Sequence, residues 1–519
     1  MDAAVVRQQT AANHQYQNLR PTPDARSPIR PSTFFGWQET LEDSIASSSS
    51  ASPPPPLQKL RDISSQSLLS TPWPSRKDEP FRFTDTSFIK NSNIQPIPPS
   101  STQSLASLCV SADNLNPGLA IVDGYLVDSL SQLPELPDGV FVGALSRLDS
   151  EDIMEKVSKY ISSFQGDLFW SLNGVGAQDI IVVYVPEGCK VERPLNLRFV
   201  SLNGSDKDSK TLPISNPRVL VLVERHGEIS IVEEYSGGDG DDDRCYWTNS
   251  VMEIVIGDAA KVSHSYIQTQ SFGAAHVKWT SVRQVLGCYG RRGIDAVIAW
   301  IHGFAQVLLV CEFDDLRCHL LILSESKSVY ELSEVSTGGK LSRHNLHVQQ
   351  EGTDTVTELS TFHLSIGDQI QDLHSKLILD HPRGVSRQLH KCIVAHSQGQ
   401  AVFDGNVQVN RDAQQTDAGQ LTRSLLLQPR ATVNVKPNLQ IIADDVKCSH
   451  GAAISDLEEN QLFYFQARGI DIEAARRALI SSFAAEVIER FPDTCVRKKV
   501  EGLIGTLLDS ALASRQEEK

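Results

Sequence analysis

The spacing of apolar and polar positions changes character twice along the chain. Up to about residue 165 the apolar residues recur at helical intervals. LQKLRDISSQSLLS begins at Leu57, and SEDIMEKVSKYISSF begins at Ser150 with Ile153, Val157 and Ile161 on one side. Between them lie WPSRKDEPFRFTD (73–85), with aromatics set among charges, and a Pro- and Ser-rich stretch over 91–105. Residues 55–165 are therefore predicted to form a small, partly helical domain with long connections. After Asp179 the texture turns to short β-rich runs. DIIVVYVPEG, RVLVLVERHGEISIVEEY, SVMEIVIGDAAKVSHSYIQTQ, TVTELSTFHLSIGDQI and AVFDGNVQVN are broken by Gly, Asp, Asn or Pro. AVFDGNVQVN alternates well, with Phe403, Val407 and Val409 sharing one face. No helical segment separates these runs, which argues against a βαβ fold. Their close spacing permits a sandwich, a propeller or a stacked solenoid. Tight turns, and Thr, Ser, Asn and Gln inside the strand-like runs, favour a mainly β solenoid over 170–454. Its polar side chains would bond up and down the stack, yet no fixed repeat period is visible.

Helical spacing returns over 455–515. Ser455 and Glu458 have the spacing of a capping box ahead of SDLEENQLFYFQARG, with Gly469 as its stop. DIEAARRALISSFAAEVIERF repeats Ile472, Ala475, Leu479 and Phe483. VEGLIGTLLDSALA carries Val500, Leu503, Ile504, Leu507 and Leu508. The three helices are expected to form a mini-bundle or to pack on the solenoid end.

Composition narrows the function. The 519 residues are 40% hydrophobic, enough for a large core, and a formal charge of −16 argues against wrapping generic nucleic acid. Nine cysteines, at 109, 189, 245, 288, 311, 318, 392, 448 and 495, include no C-x-x-C pair. That pattern fits a reducing compartment and lacks the thiolate set of a structural zinc or a four-cysteine cluster. The first 35 residues carry Arg7, Arg20, Arg26 and Arg30 against Asp2 and Asp24. This is the basic, acid-poor character of an organelle transit segment, and equally that of a disordered tail over 1–54. SSSSASPPPP (47–56) reads as a linker.

Residues 285–324 are foreign to their surroundings, with three of the nine cysteines and a long apolar stretch. Asp295, His302 and limited length argue against a membrane span. The block reads as a buried element, as an extrusion from the solenoid, or as a retained intron. Its removal joins KWTSVRQ to ESKSVYELSEVSTGG, two β-rich halves.

ADDVKCSH (443–450) is the candidate site. In a strand Cys448 and His450 project to the same side, and thiolate and imidazole both bind zinc or iron. The pair is open to three readings: a half-site for a metal or cluster, a catalytic Cys–His pair, or an ordinary polar strand. Parallel neighbours make poor geometry for a base to activate a nucleophile. Asp444, Asp445 and Lys447 read as turn and solvent residues. GGDGDDD (237–243) matches a single calcium-repeat turn, and STGGK (336–340) lacks the spaced first glycine of a phosphate loop. His344, His347, His363 and His374 read as polar partners that could meet across coils.

Four stretches carry a resemblance: TPWPSRKDEPFRFTD (71–85), YELSEVSTGGKLSRHNLHVQQEGTDTVTEL (330–359), AVFDGNVQVNRDAQQTDAGQLTRSLLL (401–427) and KPNLQIIADDVKCSHGAAISDLEENQLFYFQARGI (436–470). On these the chain resembles the SufD scaffold subunits of the SUF iron–sulfur cluster assembly system, in their plant plastid form. The block 285–324 has no counterpart in that likeness. The resemblance implies a right-handed parallel β-helix with helical N- and C-terminal parts and no catalytic activity of its own. The chain would work in the plastid stroma beside a SufB-like scaffold and a SufC-like ABC ATPase, with sulfur arriving from a cysteine desulfurase and its transfer partner. A transient iron–sulfur cluster would form at the interface of the two scaffolds, with His450 as a ligand and Cys448 beside it. Residues 455–515 would dock the ATPase, with Leu462, Phe463, Tyr464 and Phe465 as anchors. No nucleotide, nucleic acid or stable membrane insertion is expected. Two other functions compete: a β-helix enzyme acting on acidic polysaccharide, which would want a secretion signal and a mid-solenoid groove of Asp, Arg or Lys, and a purely structural β-solenoid.

Overall fold

The computed structural model describes residues 34–48, 52–99, 117–161, 164–238, 244–285, 307–311, 318–322 and 327–517. Its first strands are β1 (Asn93–Pro96), β2 (Gly118–Val122), β3 (Tyr125–Leu126), β4 (Phe141–Ala144), β5 (Ile181–Val185), β6 (Leu195–Ser201) and β7 (Thr211–Ser215). Then follow β8 (Arg218–Val223), β9 (Glu228–Gly237), β10 (Trp247–Ile256), β11 (Lys261–Thr269) and β12 (Ala275–Gln284). After a short pair, β13 (Val307–Cys311) and β14 (Cys318–Ile322), come β15 (Val329–Ser336), β16 (Leu341–Gln350), β17 (Val356–Ser365), β18 (Ile370–Leu379) and β19 (Val385–Val394). The last four are β20 (Gln400–Val409), β21 (Asp417–Leu426), β22 (Thr432–Ile441) and β23 (Lys447–Ser455).

From β8 to β23, with the β13–β14 pair set aside, consecutive strands belong to alternate sheets. One sheet runs β22-β20-β18-β16-β12-β10-β8-β5-β4 and the other β23-β21-β19-β17-β15-β11-β9-β6-β2-β3. Pairing is parallel except at the early end, where β4 on β5 and β3 on β2 are antiparallel. The fold is thus β-rich and solenoid-like. A connecting residue in the left-handed region recurs before the second-sheet strands at His226, Ala259, Lys327, Asp354, Arg383 and Gln415, with chemistry that never repeats. The repeat is one of backbone shape, and for that reason no period shows in the residues.

Alternation supplies the core. Phe403, Val407 and Val409 of β20 point inward, as their period of two predicts, and join residues of both sheets from Leu119 to Ala443 in one continuous apolar cluster. The coils run on across the foreign block: Ala275–Gln284 pairs in unbroken register with Leu341–Gln350, and β11 pairs with β15. β13 and β14 form an antiparallel pair of their own, and the rest of the block lies outside the described residues. So do most residues of the GGDGDDD stretch. In STGGK, Ser336 ends β15 and residues 337–340 connect it to β16. A Cβ on Gly338 would stand 2.2 Å from the Gln270 carbonyl oxygen, so glycine serves a close backbone approach there.

Helices cover the faces. In the stretch that composition reads as a tail, Phe34–Ser48 forms helix α1, whose Trp37 and Leu41 join a core against the first sheet. The expected helices appear as α2 (Pro55–Ser70), followed by the single turn α3 (Ser87–Lys90), and α4 (Glu151–Tyr160), capped by Ser150. Helix α5 (Leu168–Gly176) is buried on every side. It carries no amphipathic stripe, so spacing could not announce it. The segment 71–85 lies on the outer face of the first sheet. There the Arg343 guanidinium donates to Asp372 at 2.6 Å and to the Pro80 carbonyl at 3.0 Å, while stacking over Phe81.

The C-terminal helices are α6 (Glu459–Ala467), α7 (Ile472–Ile488) and α8 (Thr494–Glu517). Three expectations need correction. Ser455 ends β23 and Glu458 takes the N-cap position with no side-chain cap bond, so the capping box does not form. The buried stripe of α7 is Ala475, Ile480, Ala484, Val487 and Ile488, rotated from the expected one, with Ile472 exposed. Finally, the helices pack on one another, as a mini-bundle would, but α7 and α8 also pack on the side of the second sheet, against Val335, Phe362, Leu389 and Ile393, and not on the solenoid end.

Candidate functional site

ADDVKCSH lies at that open end. β22 and β23 make the last coil and terminate their sheets, each hydrogen-bonded within its sheet to one neighbour. β22 is half-exposed along most of its length and β23 more so, whereas β20 and β21 one coil earlier alternate with buried positions. Parallel register sets the side chains: Cys448 lies beside Ala418, His450 beside Gln420 and Ala452 beside Thr422. Ala418 belongs to the internal core and Cys448 packs against it. Period two therefore puts His450 on the same inward face, standing over the mouth of the solenoid, where it is exposed. The rim is apolar: Val435 and Leu439 pack partly into the core, and Ile441 and Ile454 are 47% exposed.

No hydrogen bond joins Cys448 to His450. The thiol is pushed above its ordinary pKa, chiefly by burial, with the Ala418 backbone bond opposing and Asp417 adding to the rise. That is the reverse of an activated nucleophile, so the catalytic Cys–His reading has no support in the geometry. Asp444 and Asp445 are exposed in the turn, the backbone N–H of Asp445 donating to Gln414 Oε1 at 2.9 Å. Lys447 is exposed too. Among the described residues no three His, Cys, Asp or Glu side chains gather as a metal site.

Behind the mouth the solenoid interior holds a column of polar groups, of which the sequence pointed only to His344 and His363. Gln420 Nε2 donates to Gln388 Oε1 at 2.9 Å, and Gln388 Nε2 donates across the interior to Ser375 Oγ at 2.7 Å. Further back, the Glu334 carboxylate is held by His344 at 2.9 Å and His363 at 2.8 Å. Deeper still, Glu233 takes bonds from Lys278, His264 and Tyr235. Burial alone would raise both carboxyl groups, yet the cations and imidazoles around them hold both below the usual carboxylate range. Burial also drives His276 down to about 3, helped by the charge of Lys278, and pushes the Cys392 thiol up to about 11. The signal for this column was present as single Glu, His and Lys at inward positions of apolar runs, but it could be read only once the register was known. Two of the four histidines named from sequence meet on Glu334. His374 instead approaches Asp372 on the outer face, and His347 packs on Trp279.

Comparison with known proteins gives two family matches. A family described as "SUF system FeS cluster assembly, SufBD core domain" matches residues 204–287 and 318–483, leaving 288–317 unmatched between them. A "SufBD protein N-terminal region" family matches 39–197. Among individual proteins, the chain is 57% identical over 475 residues to "Protein ABCI7, chloroplastic" of Arabidopsis thaliana, covering 91% of this chain and 90% of that one. It is 32% identical to the "Iron-sulfur cluster assembly SufBD family protein slr0076" of Synechocystis, over 81% of this chain and 84% of that one. Against "Iron-sulfur cluster assembly protein SufD" of Escherichia coli the identity is 26%, over 85% and 91% of the two chains.

Proposed function

The chain belongs to the SufBD family of the SUF iron–sulfur cluster assembly system, and on that premise we propose that its open solenoid end completes a cluster-building interface. The protein is a SufD-like, non-catalytic scaffold of the plastid stroma. In our reading the stacked coils form a right-handed parallel β-helix over 170–454, between a helical N-terminal part (55–165) and a C-terminal docking part (455–515). The residues ahead of α1 would serve import, and 288–317 would be an addition lying between the two matched parts of the family core.

The mouth at β22 and β23 would seat a SufB-like scaffold. Two terminal strands with unpaired edges around an apolar rim call for a cover, because free edges and exposed apolar patches are ordinarily protected. His450 would then present a ring nitrogen to a nascent cluster held between the two chains, with Cys448 beside it. A shared boundary explains how a single exposed imidazole, on a chain without a cysteine set, can take part in a ligand shell. The helices α6 to α8 would dock a SufC-like ATPase through exposed Phe463 and Tyr464, with sulfur supplied by a cysteine desulfurase and its transfer partner.

One observation carries this reading: His450 stands exposed over the open interior on the last coil. Anaerobic reconstitution of the complex with His450→Ala tests it. The variant is expected to co-purify with both partners at wild-type ratio while holding severalfold less iron and sulfide when iron is limiting. Unchanged iron and sulfide would defeat the proposal.

A further inference from the structure

We propose that Gln420 is the positioning residue for His450, its side-chain carbonyl accepting an imidazole N–H so that the opposite ring nitrogen faces the shared boundary. The inference rests on the role given to His450 above and adds the group that aims it.

Three observations carry it. First, the two residues are register partners on β21 and β23, on the inward face, and neighbouring strands lie about 4.8 Å apart. An imidazole on the last coil thus stands directly over the Gln420 amide. Second, that amide is already oriented. Its Nε2 is committed to Gln388 one coil back, and Gln388 is itself anchored on Ser375 across the interior. Gly405 makes room for the arrangement, since a Cβ there would lie 2.4 Å from Gln420 Nε2. Third, Gln420 Oε1 is buried and accepts no hydrogen bond from a described residue. Buried carbonyl groups are rarely left without a donor. With the nitrogen pinned toward the preceding coil, the free oxygen is available to the following one, where His450 carries the donor.

In the chain alone His450 is exposed and makes no bond to Gln420. Covering the mouth with a second scaffold would exclude water from both groups and leave each as the other's nearest complement. An N–H engaged in this way sets the tautomer and fixes the ring plane, as outer-shell partners do for metal-bound histidines. A side-chain amide suits the task because its carbonyl oxygen is a hydrogen-bond acceptor of fixed direction.

The experiment compares full-length variants in the assembled complex, reading iron and sulfide content and the chelator concentration that removes half the iron. Gln420→Met keeps the side-chain volume and loses the oxygen. Gln420→Glu keeps an acceptor oxygen and loses the donor to Gln388. The methionine variant is expected to assemble and to yield half its iron at about 10-fold less chelator, with the glutamate variant close to wild type. If methionine prevents assembly, Gln420→Asn, which draws the oxygen back by one methylene, takes its place with the same expected loss. Equal losses in the methionine and glutamate variants would assign Gln420 to packing alone and overturn the proposal. So would a methionine variant that keeps wild-type iron while His450→Ala loses it. Wild-type iron in His450→Ala would instead overturn the reading of His450 itself.

Discussion

His450 and Cys448 share the inward face at the solenoid mouth but have different exposure and opposite chemical prospects. The thiol leans on the core and is held protonated by its burial, whereas the imidazole stands free. The inward-facing amide under it depends on a glycine 15 residues earlier in the chain, Gly405 on β20. Adding a methyl group at Gly405 would bring a Cβ to 2.4 Å from Gln420 Nε2 and 2.6 Å from the Phe403 ring. Both neighbours are buried, so Gly405→Ala should cost about 1–3 kcal/mol, as overpacking does. Thermal unfolding of the purified chain checks this, and an unchanged midpoint would show that the interior has slack there. The inward face of β20 was readable from its alternation alone. Gln420 was not, because its meaning comes from Gln388 and His450, which lie in other coils.

At the scale of elements, α6 and α7 illustrate opposite uses of apolar residues. Ile480 of α7 is fully buried against the second sheet, while Phe463 and Tyr464 of α6 are 71% and 57% exposed. Ile480→Ala should therefore cost about 2–5 kcal/mol of stability. The double substitution Phe463→Ala with Tyr464→Ala should stay within about 0.5 kcal/mol of wild type and yet weaken co-purification of the ATPase. A large loss of stability in the double variant, with ATPase binding intact, would assign α6 to the protein's own packing. Helix existence was legible from the stripes of α2, α4 and α8, though not in α1, where Trp37, Leu41 and Ile45 recur every four residues in a stretch read as tail. It failed for α5, which is buried all round, and for the faces of α7, whose neighbour is a sheet that spacing cannot reveal. The strands were legible as runs, but their pairing was not. The recurring connecting residue is histidine, alanine, lysine, aspartate, arginine and glutamine in turn, so only its backbone angle repeats.

Over the whole molecule, the ionic interior makes stability depend on pH in one direction. Glu233 and Glu334 are held below the ordinary carboxylate range, so the stability they contribute is present above the unfolded carboxylate value and is lost as pH falls through the folded one. His276 is depressed to about 3, so between the ordinary histidine value and pH 3 the unfolded chain takes up a proton that the folded chain refuses. Both effects destabilise the fold on acidification. The melting temperature should fall as pH drops below about 6.5, where His276 refuses its proton, and fall further below about pH 4.5, where the two carboxylates resist theirs; a flat or rising profile would mean that these groups are not buried as described. The same interior leads forward to the uncovered last coil. Hydrogen–deuterium exchange of the protein, alone and with the SufB-like scaffold and ATPase, addresses that coil directly. Strong new protection over residues 432–455, covering β22 and β23, is the predicted result. Unchanged exchange there, with protection appearing on other faces, would contradict it.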